Sequence, residues 1–299
     1  MGLLRPGVHI HLVGIGGIGL SAIARVLHGW GYTVSGSDMQ PSALLDDLIA
    51  EGIVAYPSHK AGQVAGAQIV VVSSAIPDDN PEVRQALRRG LQVVKREQFL
   101  SDLTEGKLTI AVAGTHGKTT TSAMISWILT QAALDPTFIV GGLLQNLGTN
   151  ARAGSGPHFV IEADEYDRAF LGLNPDVAVI ASLEHDHPDC YPTLEAMLDA
   201  FRKFAGQLVE GGLLIGCGED GEGKELGVRL QEQGRRVETY GLGAEWDWWA
   251  QGVELGNSAA FEVWRKGKQL GTCALQMPGR HNVLNALAAL AACHEVGVE

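Results

Sequence analysis

The stretch that most constrains this chain is Ala111-Val-Ala-Gly-Thr-His-Gly-Lys-Thr-Thr-Thr121, an apolar strand running straight into a Gly-Lys-Thr turn and a helix. That succession is the signature of a phosphate-binding loop. Backbone N–H groups of Gly114, Thr115, His116, Gly117, Thr119 and Thr120 can converge on phosphate oxygens at the helix N-terminus. Lys118 adds a mobile cation, and the Thr119 hydroxyl is a ligand suited to Mg²⁺. ATP is therefore the first ligand to expect. The general pattern G-x-x-x-x-G-K-[ST] asks for glycine where this chain has Val112. An ordinary glycine turn before a helix is the duller reading, and it leaves the ordered strand, glycines, lysine and threonine without a reason.

A phosphate held by loops also fits the charge. The 299 residues carry a formal net charge of −12, which excludes the clustered basic surface that nucleic acid or an anionic membrane would require. Length predicts two domains, each with its own core. The 39 glycines are in excess of ordinary usage, as many tight βα turns would produce. No apolar run reaches transmembrane length, and Met1-Gly-Leu-Leu-Arg-Pro6 lacks a signal-peptide core, so a cytoplasmic protein is expected. Cys190, Cys217, Cys273 and Cys293 have no C-x-x-C spacing and read as reduced apolar residues.

Short apolar strands alternate with helical patterns through the first third, which predicts a parallel sheet in a Rossmann-like α/β domain. Strands are expected at His9–Val13, near Tyr32–Ser35, at Ile53–Tyr56 and at Ile69–Ser73, with a helix through about Gly29. Glu97–Lys107 is polar and reads as a linker, placing a boundary near residue 104, so that residues 1–104 and 105–299 form the two domains. The second is again α/β, of P-loop ATPase type, with strands at Leu108–Ala113, Phe159–Glu162, Val177–Ala181 and Leu213–Gly216. From Arg235 the pattern turns β-rich and suggests a small antiparallel annex, with Lys266-Gly-Lys268 as a hairpin turn. An alanine-leucine helix after Gly279 closes the chain.

Gly14, Gly16 and Gly19 match G-x-G-x-x-G between a strand and a helix, with Asp38 beyond. Such a loop grips a pyrophosphate, so NAD and any other nucleotide diphosphate are both open, as is a plain structural turn. Phe159-Val-Ile-Glu162 ends in a burst of carboxylates. Glu162, at a strand's C-terminal end, is a candidate Mg²⁺ ligand, whereas Glu165 and Asp167 read as a solvated acidic loop. Glu184, His185, Asp186, His187 and Asp189 form a second metal candidate, without H-E-x-x-H spacing. Arg280, His281 and Asn282 could cap a helix or meet an adenine edge.

With these residues in view the whole chain resembles the Mur ligases, most closely their alanine-adding branch. The segments carrying the match are Val13-Gly-Ile-Gly-Gly-Ile-Gly-Leu20, Ser35-Gly-Ser-Asp38, Val72-Ser-Ser-Ala-Ile-Pro77, Gly114–Thr121, Glu162-Ala-Asp-Glu165, Asp186-His-Pro-Asp189 and His281-Asn-Val-Leu-Asn-Ala286, in family order. The resemblance implies that Gly14, Gly16, Gly17, Gly19, Ser37, Asp38, Ser73, Ser74 and Ala75 bind the UDP of UDP-N-acetylmuramate. Asn146 and Asn150 would meet its sugar-lactyl part. It further implies that Lys118 contacts ATP phosphates, that Thr119 and Glu162 bind one Mg²⁺ or Mn²⁺, that His187 helps hold a second metal, and that His281 and Asn282 lie near adenine. Val112 then fits, because the family loop reads Gly-Thr-x-Gly-Lys-Thr. The implied reaction phosphorylates the lactyl carboxylate and couples the acyl phosphate to L-alanine.

The resemblance implies a third, C-terminal domain of Rossmann-like type that completes the ATP site and contributes to the amino-acid site, and residues 1–299 are expected to end before it. The expectation is a chain that binds nucleotides and ligates poorly alone. Tyr166, in Glu162-Ala-Asp-Glu-Tyr-Asp167, also resembles the related murein-tripeptide recycling ligase. A non-ligating nucleotide-binding module and an NAD-dependent oxidoreductase are the competing classes. Oligomeric state is not legible.

Overall fold

A computed structural model describes residues 2–298. Two compact units divide the chain, Met1–Lys107 with Pro136–Pro157, and Leu108–Asp135 with His158–Glu299.

Along the first unit run β1 (His9–Val13), α1 (Ile18–Gly29), β2 (Thr33–Ser37), α2 (Ala43–Ala50), β3 (Val54–Tyr56), β4 (Ile69–Val72), α3 (Pro81–Arg88), β5 (Gln92–Lys95) and α4 (Arg96–Thr104). The strands form a parallel sheet in the order β3-β2-β1-β4-β5. β4 shows why it is central: Ile-Val-Val-Val is buried at every position, as a strand covered on both faces must be. The order reverses at β1, with β2 on one side and β4 on the other. The crevice outside the C-terminal ends of β1 and β4 is thus where such a sheet takes ligands.

The second unit opens with β6 (Leu108–Ala113) and α5 (Lys118–Gln131). The next two strands, β7 (Thr137–Leu144) and β8 (Thr149–Arg152), belong to the first unit. They pair antiparallel there, and β8 leads into Ala153, which lies so close to Gly29 of α1 that a Cβ on that glycine would stand 2.6 Å from Ala153 Cβ. A single cut at residue 104 therefore does not describe the division. The polar reading of Glu97–Lys107 also missed α4, whose Phe99, Leu100 and Leu103 are buried and whose register hid them among polar neighbours.

The remainder of the second unit comprises β9 (His158–Glu162), β10 (Val177–Ile180), α6 (Leu194–Gly206), β11 (Leu213–Cys217), α7 (Gly221–Glu232), β12 (Arg236–Gly241), β13 (Trp248–Leu255), β14 (Ala259–Arg265), β15 (Lys268–Leu275) and α8 (Arg280–Glu295). β9, β6, β10, β11 and β12 are parallel neighbours in that order. β13 joins β12 in parallel, and β13-β14-β15 continue as an antiparallel meander. The β-rich segment is the expected small antiparallel addition, and it extends the main sheet. One parallel pairing, at Tyr240 with Trp248 and Gly241 with Trp249, makes it continuous.

Apart from α4, which starts after Lys95 without a side-chain cap, helix starts fall into two kinds. Ser42, Asn80, Thr193 and Asp220 cap α2, α3, α6 and α7 with side-chain oxygens that accept first-turn N–H groups. α1, α5 and α8 begin at Gly17, Gly117 and Gly279, without a side-chain cap. These three carry the loops singled out above. No described helix is long and apolar enough to cross a membrane.

Candidate functional site

In the second unit the loop after β6 is fixed by close packing. Gly114 sits at φ +130°, where a Cβ would stand 2.9 Å from the backbone N and O of Ser182, at the end of β10. Gly117 is left-handed at φ +82°, and a Cβ there would meet Asn285 Oδ1 of α8 at 2.5 Å. Thr115 N donates to Ser182 O at 2.8 Å, Thr115 Oγ1 donates to Glu184 O at 3.0 Å, and His116 N donates to Ser182 Oγ at 3.0 Å. The loop is thus pinned between the β10 end and α8 while its helix start is left to backbone N–H groups, the arrangement that receives phosphate oxygens.

Around it the side chains form two adjoining pairs. Thr119 Oγ1 donates to Glu162 Oε1 at 3.1 Å, joining the first turn of α5 to the end of β9. Lys118 Nζ donates to Gly114 O at 2.6 Å and to Glu165 Oε1 at 2.8 Å, and His187 Nε2 lies 3.5 Å from the same carboxylate oxygen. Glu165 is 2% exposed, so its reading as a solvated loop residue is corrected. Burial raises its carboxyl above the usual range, and the Lys118 ammonium opposes that rise. Tyr191 is buried and donates its hydroxyl to Glu165 O at 2.6 Å, fixing the turn that aims Glu165. The signal for Glu165 lay in Glu162-Ala-Asp-Glu165, three residues past the strand end.

His187 adopts φ +52°, an uncommon conformation for a non-glycine residue, with its ring edge-on to Tyr166 at 5.3 Å between centroids. Tyr166 Oη donates to Asp189 Oδ2 at 3.2 Å. His185 instead turns to Tyr191 O, at 2.8 Å. Among the described residues no group of three or more His, Cys, Asp or Glu side chains is arranged to hold a metal. Thr119 and Glu162 are hard oxygen donors in contact, which suits Mg²⁺, an ion that takes one or two protein groups and fills its octahedron with water and phosphate.

Two further residues escaped the sequence reading. Asp220, after β11, accepts Leu183 N at 3.1 Å and Gly223 N at 2.8 Å, steadying the loop that pins Thr115. Asn285 touches Gly117 and donates to Asn282 Oδ1 at 3.4 Å. Asn282, 8% exposed, donates to Pro278 O at 2.7 Å, whereas His281 is exposed.

The first unit's loop is built differently. Gly14, at φ +90°, lies against Ser73, where a Cβ would approach Ser73 Cβ to 2.9 Å. Gly16 N donates to Asp38 Oδ2 at 3.0 Å, and a Cβ on Gly16 would clash with the same carboxylate. Gly14 N and Ile15 N both donate to Ser37 O, at 2.8 and 3.0 Å. Gly19 packs against the Arg96 guanidinium. Ser74 and Ala75 are exposed beyond β4, and Ser73 N is held by Val13 O at 3.0 Å. Asn150 accepts from Arg25 of α1 at 3.1 Å, while Asn146 is exposed in the β7–β8 turn.

A P-loop at the end of β6, with a strand-end carboxylate against its threonine, defines an α/β protein of the phosphate-binding-loop class. Within that class the chain belongs to the Mur ligase family. The Mur ligase middle domain matches residues 112–293, and the Mur ligase family catalytic domain matches residues 9–108. UDP-N-acetylmuramate–L-alanine ligases of Geobacter sp. (strain M21) and Renibacterium salmoninarum are each 45% identical over 97% of this chain. The chain spans 62% of the length of each. Among solved structures, UDP-N-acetylmuramate:L-alanyl-γ-D-glutamyl-meso-diaminopimelate ligase of Neisseria meningitides matches with a TM-score of 0.86 and 32% identity, over 98% of this chain and 94% of that one. The UDP-N-acetylmuramate–alanine ligase of Thermotoga maritima matches at 0.82 and 30% identity, over 97% and 66%.

Proposed function

We propose that this chain supplies the UDP-substrate and ATP units of a cytoplasmic, ATP-dependent carbon–nitrogen ligase that joins L-alanine to UDP-N-acetylmuramate in peptidoglycan synthesis. The observation that carries the reading is the 45% identity to alanine ligases over 97% of the chain. The glycine loop of the first unit grips the UDP pyrophosphate, Ser37, Asp38, Ser73, Ser74 and Ala75 help bind the UDP, and Asn146 and Asn150 meet the sugar-lactyl end. The second unit takes ATP through Gly114–Thr120, with His281 and Asn282 toward adenine.

Chemistry follows from the residue types. The lactyl carboxylate attacks the γ-phosphorus, ADP leaves, and the alanine amine then displaces phosphate from the acyl phosphate through a tetrahedral intermediate. Lys118 exchanges its loop carbonyl and Glu165 contacts for phosphate oxygens and offsets the charge spread over the transferring group. Glu165, between Lys118 and His187, orients both. Thr119 and Glu162 would hold Mg²⁺ or Mn²⁺, and His187 would help hold a second ion; the metal supplies charge neutralisation at the phosphates.

The Neisseria structure favours a second acceptor, the tripeptide L-alanyl-γ-D-glutamyl-meso-diaminopimelate. Calorimetric titration with UDP-N-acetylmuramate and NADH tests the substrate unit. The expected result is binding of the UDP-sugar alone, weakened about tenfold by Asp38→Ala, which removes a charged hydrogen-bond acceptor of the loop. A preference for NADH would overturn the reading in favour of an oxidoreductase. Phosphate release by the whole ligase with L-alanine and with the tripeptide then separates the two acceptors, and release with neither would leave a non-ligating module.

A further inference from the structure

Beneath the glycine loop of the first unit lies a polar chain that the function above does not use. Glu82, in the first turn of α3, is fully buried. Its Oε2 accepts from Ser37 Oγ at 2.5 Å and stands 2.9 Å from His59 Nδ1, while His11 Nε2 lies 3.4 Å from Oε1. His11, also fully buried, reaches Ser35 Oγ through Nδ1 at 2.8 Å, and Ser35 Oγ meets His9 Nε2 at 2.7 Å. The six side chains come from β1, β2, α3 and the segment after β3, and they cross the sheet face from its N-terminal edge to Ser37 at its C-terminal edge.

Proton accounting along this chain has one consistent direction. Ser35 has a single hydroxyl proton. If it goes to His11 Nδ1, then His9 Nε2–H fills the Ser35 oxygen and His11 Nε2–H faces Glu82, with all three groups neutral. Burial opposes the charge on Glu82, yet the hydrogen bonds from His11, Ser37 and His59 hold its carboxyl below the usual range. A buried carboxylate is thus set among Ser37, His59 and His11. The same elements carry a buried apolar cluster of Val13, Val64, Val70, Val72 and Val83, and Gln63, between β3 and β4, turns to Ser58. The chain ends at the site itself, because the carbonyl of the same Ser37 receives the N–H groups of Gly14 and Ile15.

Resting on the nucleotide-diphosphate reading of that loop, we propose that Glu82 is a positioning residue which locks the β2 end under the glycine loop, and that a proton on His59 or His11 is taken up when the anionic ligand binds. An added anion near a buried carboxylate is unfavourable, and a proton on a histidine already bonded to Glu82 relieves it. By linkage, the ligand then binds more tightly as pH falls through the histidine range.

UDP-N-acetylmuramate is a suitable probe, since its diester pyrophosphate keeps a constant charge from about pH 6 to about pH 8, where histidine titrates. Calorimetry in two buffers of different ionisation enthalpy should show proton uptake, with affinity about 5- to 10-fold greater at the lower pH, an ordinary coupling magnitude. Glu82→Gln should weaken binding and flatten the pH profile. Should that variant fail to fold, His59→Gln, at the partly open end, should flatten the profile, and wild-type histidine NMR should show a ring pKa rising on saturation. Binding with no proton uptake, or variants that lose affinity with an unchanged profile, would overturn the inference and leave the substrate reading intact. Failure of the wild type to bind any UDP-sugar would overturn both.

Discussion

The molecule contains two glycine loops of the same outline, each leaving a parallel strand and opening a helix at a glycine, and they are braced in opposite ways. The β6 loop carries its own cation: Lys118 reaches back to Gly114 O and a buried carboxylate whose ionisation is held up. Around the β1 loop it is a carboxylate that does the holding, Asp38 on Gly16 N, with Glu82 beneath, whose ionised form is favoured by histidine and serine donors. On the proposed function, the β6 loop must follow charge moving between phosphate groups, which calls for a mobile cation, whereas the β1 loop grips an unchanging diester, for which fixed N–H groups are suited. The same backbone motif is therefore specialised by what lies one layer behind it.

Removing the cation should separate the loops most. Lys118→Ala is expected to lower whole-ligase turnover by about 10³-fold or more, the scale of a lost electrostatic contact in phosphoryl transfer, while UDP-sugar affinity of the first unit stays unchanged. Parallel steady-state kinetics and calorimetry check both halves, and equal losses would erase the distinction.

A smaller contrast concerns the glycines. Gly114→Ala meets the backbone of Ser182, whereas Gly14→Ala meets the Ser73 side chain, and both hold positive φ. The first should cost about 3 kcal/mol of stability and the second about 2 kcal/mol, since a strand end yields less than a side chain. Denaturant midpoints for the two variants should fall in that order.

The smallest expected effect is in acid. Glu82 sits below the usual carboxylate range when folded, so the stability it contributes is present above that range and lost as pH falls. Glu165 sits above it, and the cost of ionising it appears only as pH rises. Glu82→Gln should thus destabilise at neutral pH by about 1.5 kcal/mol, less in acid, while Glu165→Gln should be near neutral or stabilising at neutral pH. Urea titrations at two pH values would expose a shared sign, which this contrast does not permit.

The strands, the long helices and both glycine loops were legible because strand burial and βα turn chemistry are written in adjacent residues. Val70–Val72, Gly114–Lys118 and Ala286–Ala292 need no partner to be read. α4 was missed because its buried Phe99, Leu100 and Leu103 are interrupted by Ser101 and Asp102, a face that only packing reveals. Pro136–Pro157 escaped for a similar reason: which unit a hairpin joins depends on the helix it packs against. Glu165 was read as solvated because a run of carboxylates after a strand says nothing about which of them turns inward.

Local chemistry, then, was settled by the sequence: where the loops lie, which of them bears a cation, and which helices begin at glycine. Tertiary structure alone decided the partners of the buried charges. His11 with Glu82 and Lys118 with Glu165 are pairs separated by 71 and 47 residues, and the free energy of an ionised group is set by what surrounds it in space, not along the chain.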